Sequence, residues 1–123
     1  YSPAKTYYQN KLALLMLSLY MREHWEGIKI HAIRVTNVKV DMSRYNHLNT
    51  FMKNLYKIKS KFSISPEEMA KVYTVLSTEE LYEGFLYDEK CREVKANVSA
   101  YEEEEQEKLY SLLEHLTFSR DNP

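Results

Sequence analysis

The spacing of apolar positions changes several times along this chain, and each change marks an element. From Ala4 to Glu26 nothing breaks a helix: Ser2 stands where a cap belongs, Pro3 fits the first turn and Gly27 supplies a stop. The middle of that stretch, LALLMLSLYM, is apolar on nearly every face. Such a helix is expected to be buried on several sides, against a sheet and a partner subunit. After Gly27, the segment IKIHAIRV reads as a strand over 28–35, carried by Ile28, Ile30, Ala32 and Val35. Helix, glycine, strand is half of a crossover unit in an α/β fold.

Residues 36–63 are irregular and polar, apart from a short helix expected around Thr50 to Ile58. Ser65-Pro66-Glu67-Glu68 is a strong helix start, with Ser65 as cap, Pro66 in the first helical position and Glu68 closing a capping box. That helix is expected to run to about Leu76. A connection follows from Ser77 to Gly84, then a short strand at Phe85-Leu86-Tyr87. Ser99 with Glu102 repeats the capping signature and opens a last helix ending near Phe118.

At 123 residues the chain is one domain, or part of a larger one. The net charge of −1 argues against a general binder of nucleic acid or of membrane surfaces. Cys91 is the single cysteine, so no internal disulfide can form, and a reducing, cytoplasmic setting is the expectation. The longest apolar run, Leu12 to Leu17, reaches Met21 only if Ser18 is allowed, below the roughly 20 residues that a bilayer requires. No basic-then-apolar signal segment is visible. The chain opens at Tyr1 without an initiator methionine and enters a helical pattern at once, which reads as a segment of something longer. Gly27 and Gly84 are its only glycines, so a glycine-rich phosphate loop cannot be built from it. The phosphates of any bound nucleotide would be held by residues outside this chain.

The candidate chemistry lies in the first helix. Two tyrosine-lysine pairs share one spacing, Tyr1 with Lys5 and Tyr7 with Lys11. With 11 tyrosines and 12 lysines, about one such pair arises by chance, so spacing alone proves nothing. A phenol is a weak acid-base catalyst near neutrality. A cation one helical turn away favours the phenolate and lowers the phenol's pKa. Proton transfer to a carbonyl oxygen, coupled to hydride transfer at its carbon, calls for such a pair.

The stretch YSPAKTYYQNKLAL resembles the catalytic helix of the short-chain dehydrogenase/reductase family, in particular members similar to retinol dehydrogenases. In the alignment this implies, Tyr7 and Lys11 are the functional pair, and Tyr1 with Lys5 is the lead-in. GIKIHAIRVTNVKVDMSRY is similar to the strand and loop that follow that helix in the family. There a valine or isoleucine grips the nicotinamide carboxamide and a threonine often adds a contact. By position Val38 takes the first role, while Val40 stands where the threonine is usual and Val35-Thr36 where Pro-Gly is usual. SPEEMAKVYTVLSTEELYEG and FLYDEKCREVKANVSAYEEEEQEKLYSLLEHLT resemble the family's C-terminal helix, last strand and tail.

The resemblance implies the C-terminal part of a Rossmann-type, doubly wound α/β fold. Its catalytic helix would be 1–26, its strand 28–35, its nicotinamide and substrate loop 36–63, and its C-terminal helices and short strand 65–118. It implies an oxidoreductase interconverting an alcohol and a carbonyl with NAD or NADP. Tyr7 would be the general acid-base, Lys11 would lower its pKa and hold the nicotinamide ribose, and Val38 and Val40 would line the cofactor pocket. Residues 42–63 would form the substrate lid. A homo-oligomer paired through helix 4–26 is the implied assembly. The family's serine and asparagine lie upstream of Tyr1, so the isolated segment is expected to be inactive.

Other residues read more plainly. His24, His31, His47 and His115 lack ligand spacing, so no metal site is expected. His31 reads as a packed or hydrogen-bonded strand residue and Trp25 as a packing anchor. The lysines of KNLYKIKSKF read as a solvated face, and Glu102 to Glu105 as acids complementing a helix dipole. Two rival readings stay open: a non-catalytic helical interaction or scaffold module on the same fold, and a nucleic-acid-binding segment using the lysines near Tyr56.

Overall fold

A computed structural model describes residues 1–35, 38–39 and 49–121. The architecture is mixed helix and sheet, compatible with the α/β class. In chain order the described elements are α1 (Pro3–His24), β1 (Ala32–Ile33), α2 (Thr50–Ser60), α3 (Pro66–Thr78), β2 (Leu86–Tyr87), β3 (Glu93–Val94), a 3-10 helix (Val98–Tyr101) and α4 (Glu103–Asp121). The chain divides into two compact units, one formed by Tyr1–Ala32 with Val94–Pro123, the other by Ile33–Glu93.

In the first unit α1 begins as its sequence demands. The Ser2 hydroxyl accepts from the Lys5 amide, Pro3 enters the first turn, and Arg22 and His24 complement the dipole in the last. Trp25 closes it, its amide bonding to the Met21 carbonyl, and Gly27 then turns the chain at φ +74°. Trp25 is a half-exposed C-cap rather than the expected packing anchor. The expected burial of α1 is met in part: Leu12, Leu15, Met16 and Leu17, on different sides of the helix, are half-buried. Among the described residues only Leu19 of α1 is buried, and Leu14 is exposed. Within its unit α1 packs on α4 and the 3-10 helix, which cover one side of an all-round apolar cylinder.

Tyr20 stacks on Tyr110 of α4 at 4.3 Å between ring centroids and on His24 at 3.9 Å, so the α1–α4 contact carries a three-ring stack. Ser99 does not cap the last helix as expected. Asn97 caps the 3-10 helix by accepting from the Ser99 amide, and α4 starts only at Glu103. The junction is held by Gln106, whose buried amide donates to the Ala100 carbonyl at 2.7 Å.

The second unit is organised by α3. Ser65 and Glu68 form the expected capping box, each side chain bonding the other residue's amide. Ser65→Ala is expected to cost about 1 kcal/mol, read as a lower urea midpoint at unchanged slope. Met69, Val72 and Leu76 recur at three- and four-residue spacing and pack with Tyr87 of β2; Ile33, Val38, Ile64, Tyr82 and Cys91 close around them. The sheet order is β1-β2-β3.

The strand expected over 28–35 shortens to Ala32–Ile33. Arg22 takes the Ile30 carbonyl at 3.3 Å, an acceptor that a ladder would otherwise use, and Ile28 is exposed. Pairing with β2 includes the bond from the Arg34 amide to the Tyr87 carbonyl. β2 and β3 form a hairpin with a three-residue loop, 89–91. Cys91 takes the left-handed conformation, φ 55°, that such loops place at their last position.

Candidate active site

The geometry of Tyr7 and Lys11 follows from the uninterrupted start of α1. The Thr6 amide bonds to the Ser2 carbonyl at 3.0 Å, so the helix is regular before Tyr7 is reached. Residues four apart then share one face. The Lys11 ammonium lies over the Tyr7 ring, 5.5 Å from its centroid, within reach of a cation–π contact. Tyr8 meets the Tyr7 ring edge-on at 5.6 Å. Tyr7 is 58% exposed and Lys11 is exposed, so phenol and ammonium open together onto solvent. Tyr1 precedes the helix and is fully exposed. The two pairs of equal spacing thus differ in kind: one is held inside a regular helix, the other straddles its start.

At 100° per residue, Tyr7, Lys11 and Leu14 form one stripe along α1. The opposite side of the helix, with Gln9, Leu12, Ala13 and Met16, lines an open groove of about 400 Å³ against Glu105, Lys108, Leu109 and Leu112 of α4. Lys108 donates to Glu105 at 2.7 Å, and this bond raises the pKa of its ammonium. The groove and the Tyr7–Lys11 stripe are therefore separate surfaces of one helix.

An exposed phenol beside an exposed ammonium can exchange a proton with a bound substrate while the cation stabilises the charge left on oxygen. Among the described residues no glycine-rich loop offers a cradle for phosphate groups. Gly27 terminates a helix, and the Gly84 amide donates to the Tyr87 hydroxyl at 2.6 Å, so neither belongs to a phosphate loop.

Val38 and Ile64 form a parallel bridge, the Lys39 amide bonding to the Ile64 carbonyl at 3.0 Å. The Val38 side chain is half-buried against the α3 core of the second unit. Val40 and the first part of the expected lid, 42–48, lie outside the described residues, while the rest of it, 49–63, is largely α2. Among the described residues no cluster of histidine, cysteine, aspartate or glutamate is arranged to hold a metal ion.

Sequence reasoning missed two features. Asp88, in the polar run DEKCRE, is 1% exposed. Its carboxylate accepts from the Lys90 amide at 2.9 Å, the Arg92 amide at 3.0 Å and the Arg92 Nε at 2.9 Å. Burial pushes its pKa up, but these donors and the guanidinium charge outweigh it and hold the carboxyl below its ordinary value. An aspartate opening a hairpin loop was the available signal. The second missed feature is the outward apolar face of α2. Its signal was the spacing of Phe51, Leu55, Ile58 and Phe62 in a stretch without an acid. Comparisons with family models, with curated proteins and with solved structures each return no match to this chain.

Proposed function

We propose that this chain contributes the catalytic helix of an NAD- or NADP-dependent oxidoreductase interconverting an alcohol and a carbonyl, on a Rossmann-type fold of the short-chain dehydrogenase/reductase kind. The observation that carries the reading is the Lys11 ammonium held over the exposed Tyr7 ring inside a regular helix. The motif YSPAKTYYQNKLAL and the collinear likeness of later segments add to it. Tyr7 gives its proton to the carbonyl oxygen in reduction and takes it from the hydroxyl in oxidation. Lys11 stabilises the phenolate that remains and bonds the nicotinamide ribose. The nicotinamide, when bound, supplies or accepts the hydride. The phosphates are held by residues outside these 123.

The test is the reaction itself, with the protein expressed together with any coding sequence upstream of Tyr1. NAD or NADP is offered with a panel of primary and secondary alcohols, and the absorbance of the reduced nicotinamide is followed. Lys11→Gln is expected to lower kcat/KM by about 10²-fold without moving the melting temperature, because the side chain is exposed. A Lys11→Gln protein as active as the parent would count against the reading.

The exposed Leu14, Leu112 and Leu116 favour a second reading, a non-catalytic helical interaction module that associates through α1. In that case sedimentation reports a dimer or a partner complex, and substitutions at Tyr7 and Lys11 are silent in every redox assay.

A further inference from the structure

A surface helix ordinarily turns its apolar stripe toward the core and its lysines toward water. In α2 the apolar stripe itself faces water. Phe51, Leu55, Ile58 and Phe62, spaced four, three and four residues apart, fall within an arc of about 60° at 100° per residue. All four are exposed, Phe51 at 69% and Phe62 at 84%. Phe62 stays in line beyond the helix end because its amide bonds to the Lys59 carbonyl at 3.2 Å. Lys53, about half a turn round from the stripe, is half-buried. The core of this unit is built by α3, Tyr87 and their neighbours, with no α2 side chain among its described members.

The charge of this segment is as one-sided as its apolarity. Residues 49–65 contain four lysines and no aspartate or glutamate, while the chain as a whole carries −1. The compensating acids are concentrated elsewhere, notably at Glu102 to Glu105. Lys59 and Lys61 stand about 70–90° to either side of the stripe, and Lys57 lies beyond Lys61. Cations flanking an exposed apolar stripe on both sides match a plane of anions over hydrocarbon, with lysine stems running along the apolar surface and heads at the phosphates.

We propose that α2 together with Phe62 docks the protein onto an anionic lipid bilayer. The helix lies in the interface, with Phe51, Leu55, Ile58 and Phe62 entering the acyl boundary and Lys57, Lys59 and Lys61 meeting headgroup phosphates. This is a surface contact and not a span; no helix among the described residues is long and apolar enough to cross a membrane. A nucleic acid fits less well, because aliphatic Leu55 and Ile58 at the centre of the stripe offer no stacking platform.

The test is co-sedimentation of the 123-residue chain with vesicles of phosphatidylcholine alone or with roughly a third phosphatidylserine. The proposal predicts at least about 10-fold stronger binding to the anionic vesicles, weakened by salt. Phe51→Ser with Phe62→Ser, and separately Lys57, Lys59 and Lys61→Gln, should each lower that binding about 10-fold with unchanged circular dichroism. These side chains are exposed, and the lysine variant leaves every apolar contact in place. Equal binding to both vesicles, no binding to either, or anionic binding untouched by the phenylalanine substitutions overturns the proposal. So does a single-stranded oligonucleotide that displaces the chain from vesicles while binding independently of Phe51 and Phe62.

Discussion

Tyr7→Phe is expected to lower turnover by about 10²- to 10⁴-fold while leaving stability within about 0.5 kcal/mol of the parent. The two halves of that expectation have separate causes. The hydroxyl is the only group removed, and in the proposed reaction it is the group that carries the proton. The ring that remains keeps its edge contact with Tyr8 and its place under the Lys11 ammonium. Because the residue is exposed, no buried donor or acceptor is left without a partner. Tyr1→Phe, outside the helix, should change neither property. Activity measured with the nicotinamide assay and melting followed by circular dichroism separate the outcomes. A Tyr7→Phe protein that turns over normally leaves the phenol without a catalytic part.

Asp88→Ala is expected to destabilise the second unit by about 2–3 kcal/mol. The carboxylate receives two backbone amides and a guanidinium N–H at the mouth of the β2–β3 hairpin. Removing it strands the Lys90 and Arg92 amides, which the carboxylate alone satisfies inside the loop. The Arg92 side chain is 65% exposed, so its charge returns to water and the loss stays below that of a fully buried pair.

The same cradle gives a pH dependence. A carboxyl whose folded pKa lies below its unfolded value near 3.8 contributes stability that is fully present above that value. The contribution is lost as pH falls through the lower, folded pKa. Urea midpoints should therefore decline below about pH 4 in the parent, and Asp88→Asn should flatten that part of the profile. A parent and an Asp88→Asn protein with parallel acid profiles would show that the carboxylate is not the acid-labile group.

The elements most legible in the sequence are those decided by local chemistry. Ser65-Pro66-Glu67-Glu68 can do little but start a helix, and Ser2-Pro3 with Gly27 bracket α1 almost to the residue. Tyr7 and Lys11 were legible as a pair because four residues inside an unbroken helix can only lie one turn apart. Strand 28–35 was not, since its length depended on a carbonyl that Arg22 takes from a distance in sequence. Ser99 misled because it lies inside a 3-10 turn capped by Asn97, where the Glu102 amide bonds the Ser99 backbone carbonyl. The short helix around Thr50 to Ile58 was legible, but not its apolar face or the direction in which that face points. A moment fixes a direction around the helix axis, and only the remaining packing says whether that direction is inward. The apolar α1 gave the same lesson, with one side covered by α4 and the Leu14 side left open.

The account rests on Tyr7 and Lys11 acting as one proton-transfer unit, and a double-mutant cycle tests this most directly. Turnover is measured for the parent, Tyr7→Phe, Lys11→Gln and the double variant in the nicotinamide assay. Once the phenol is gone the ammonium has no phenolate to stabilise, so at saturating nicotinamide, where the ribose bond of Lys11 no longer limits turnover, the double variant should be little worse than Tyr7→Phe alone. Losses that simply multiply would mean that the two side chains act independently, and would contradict the account.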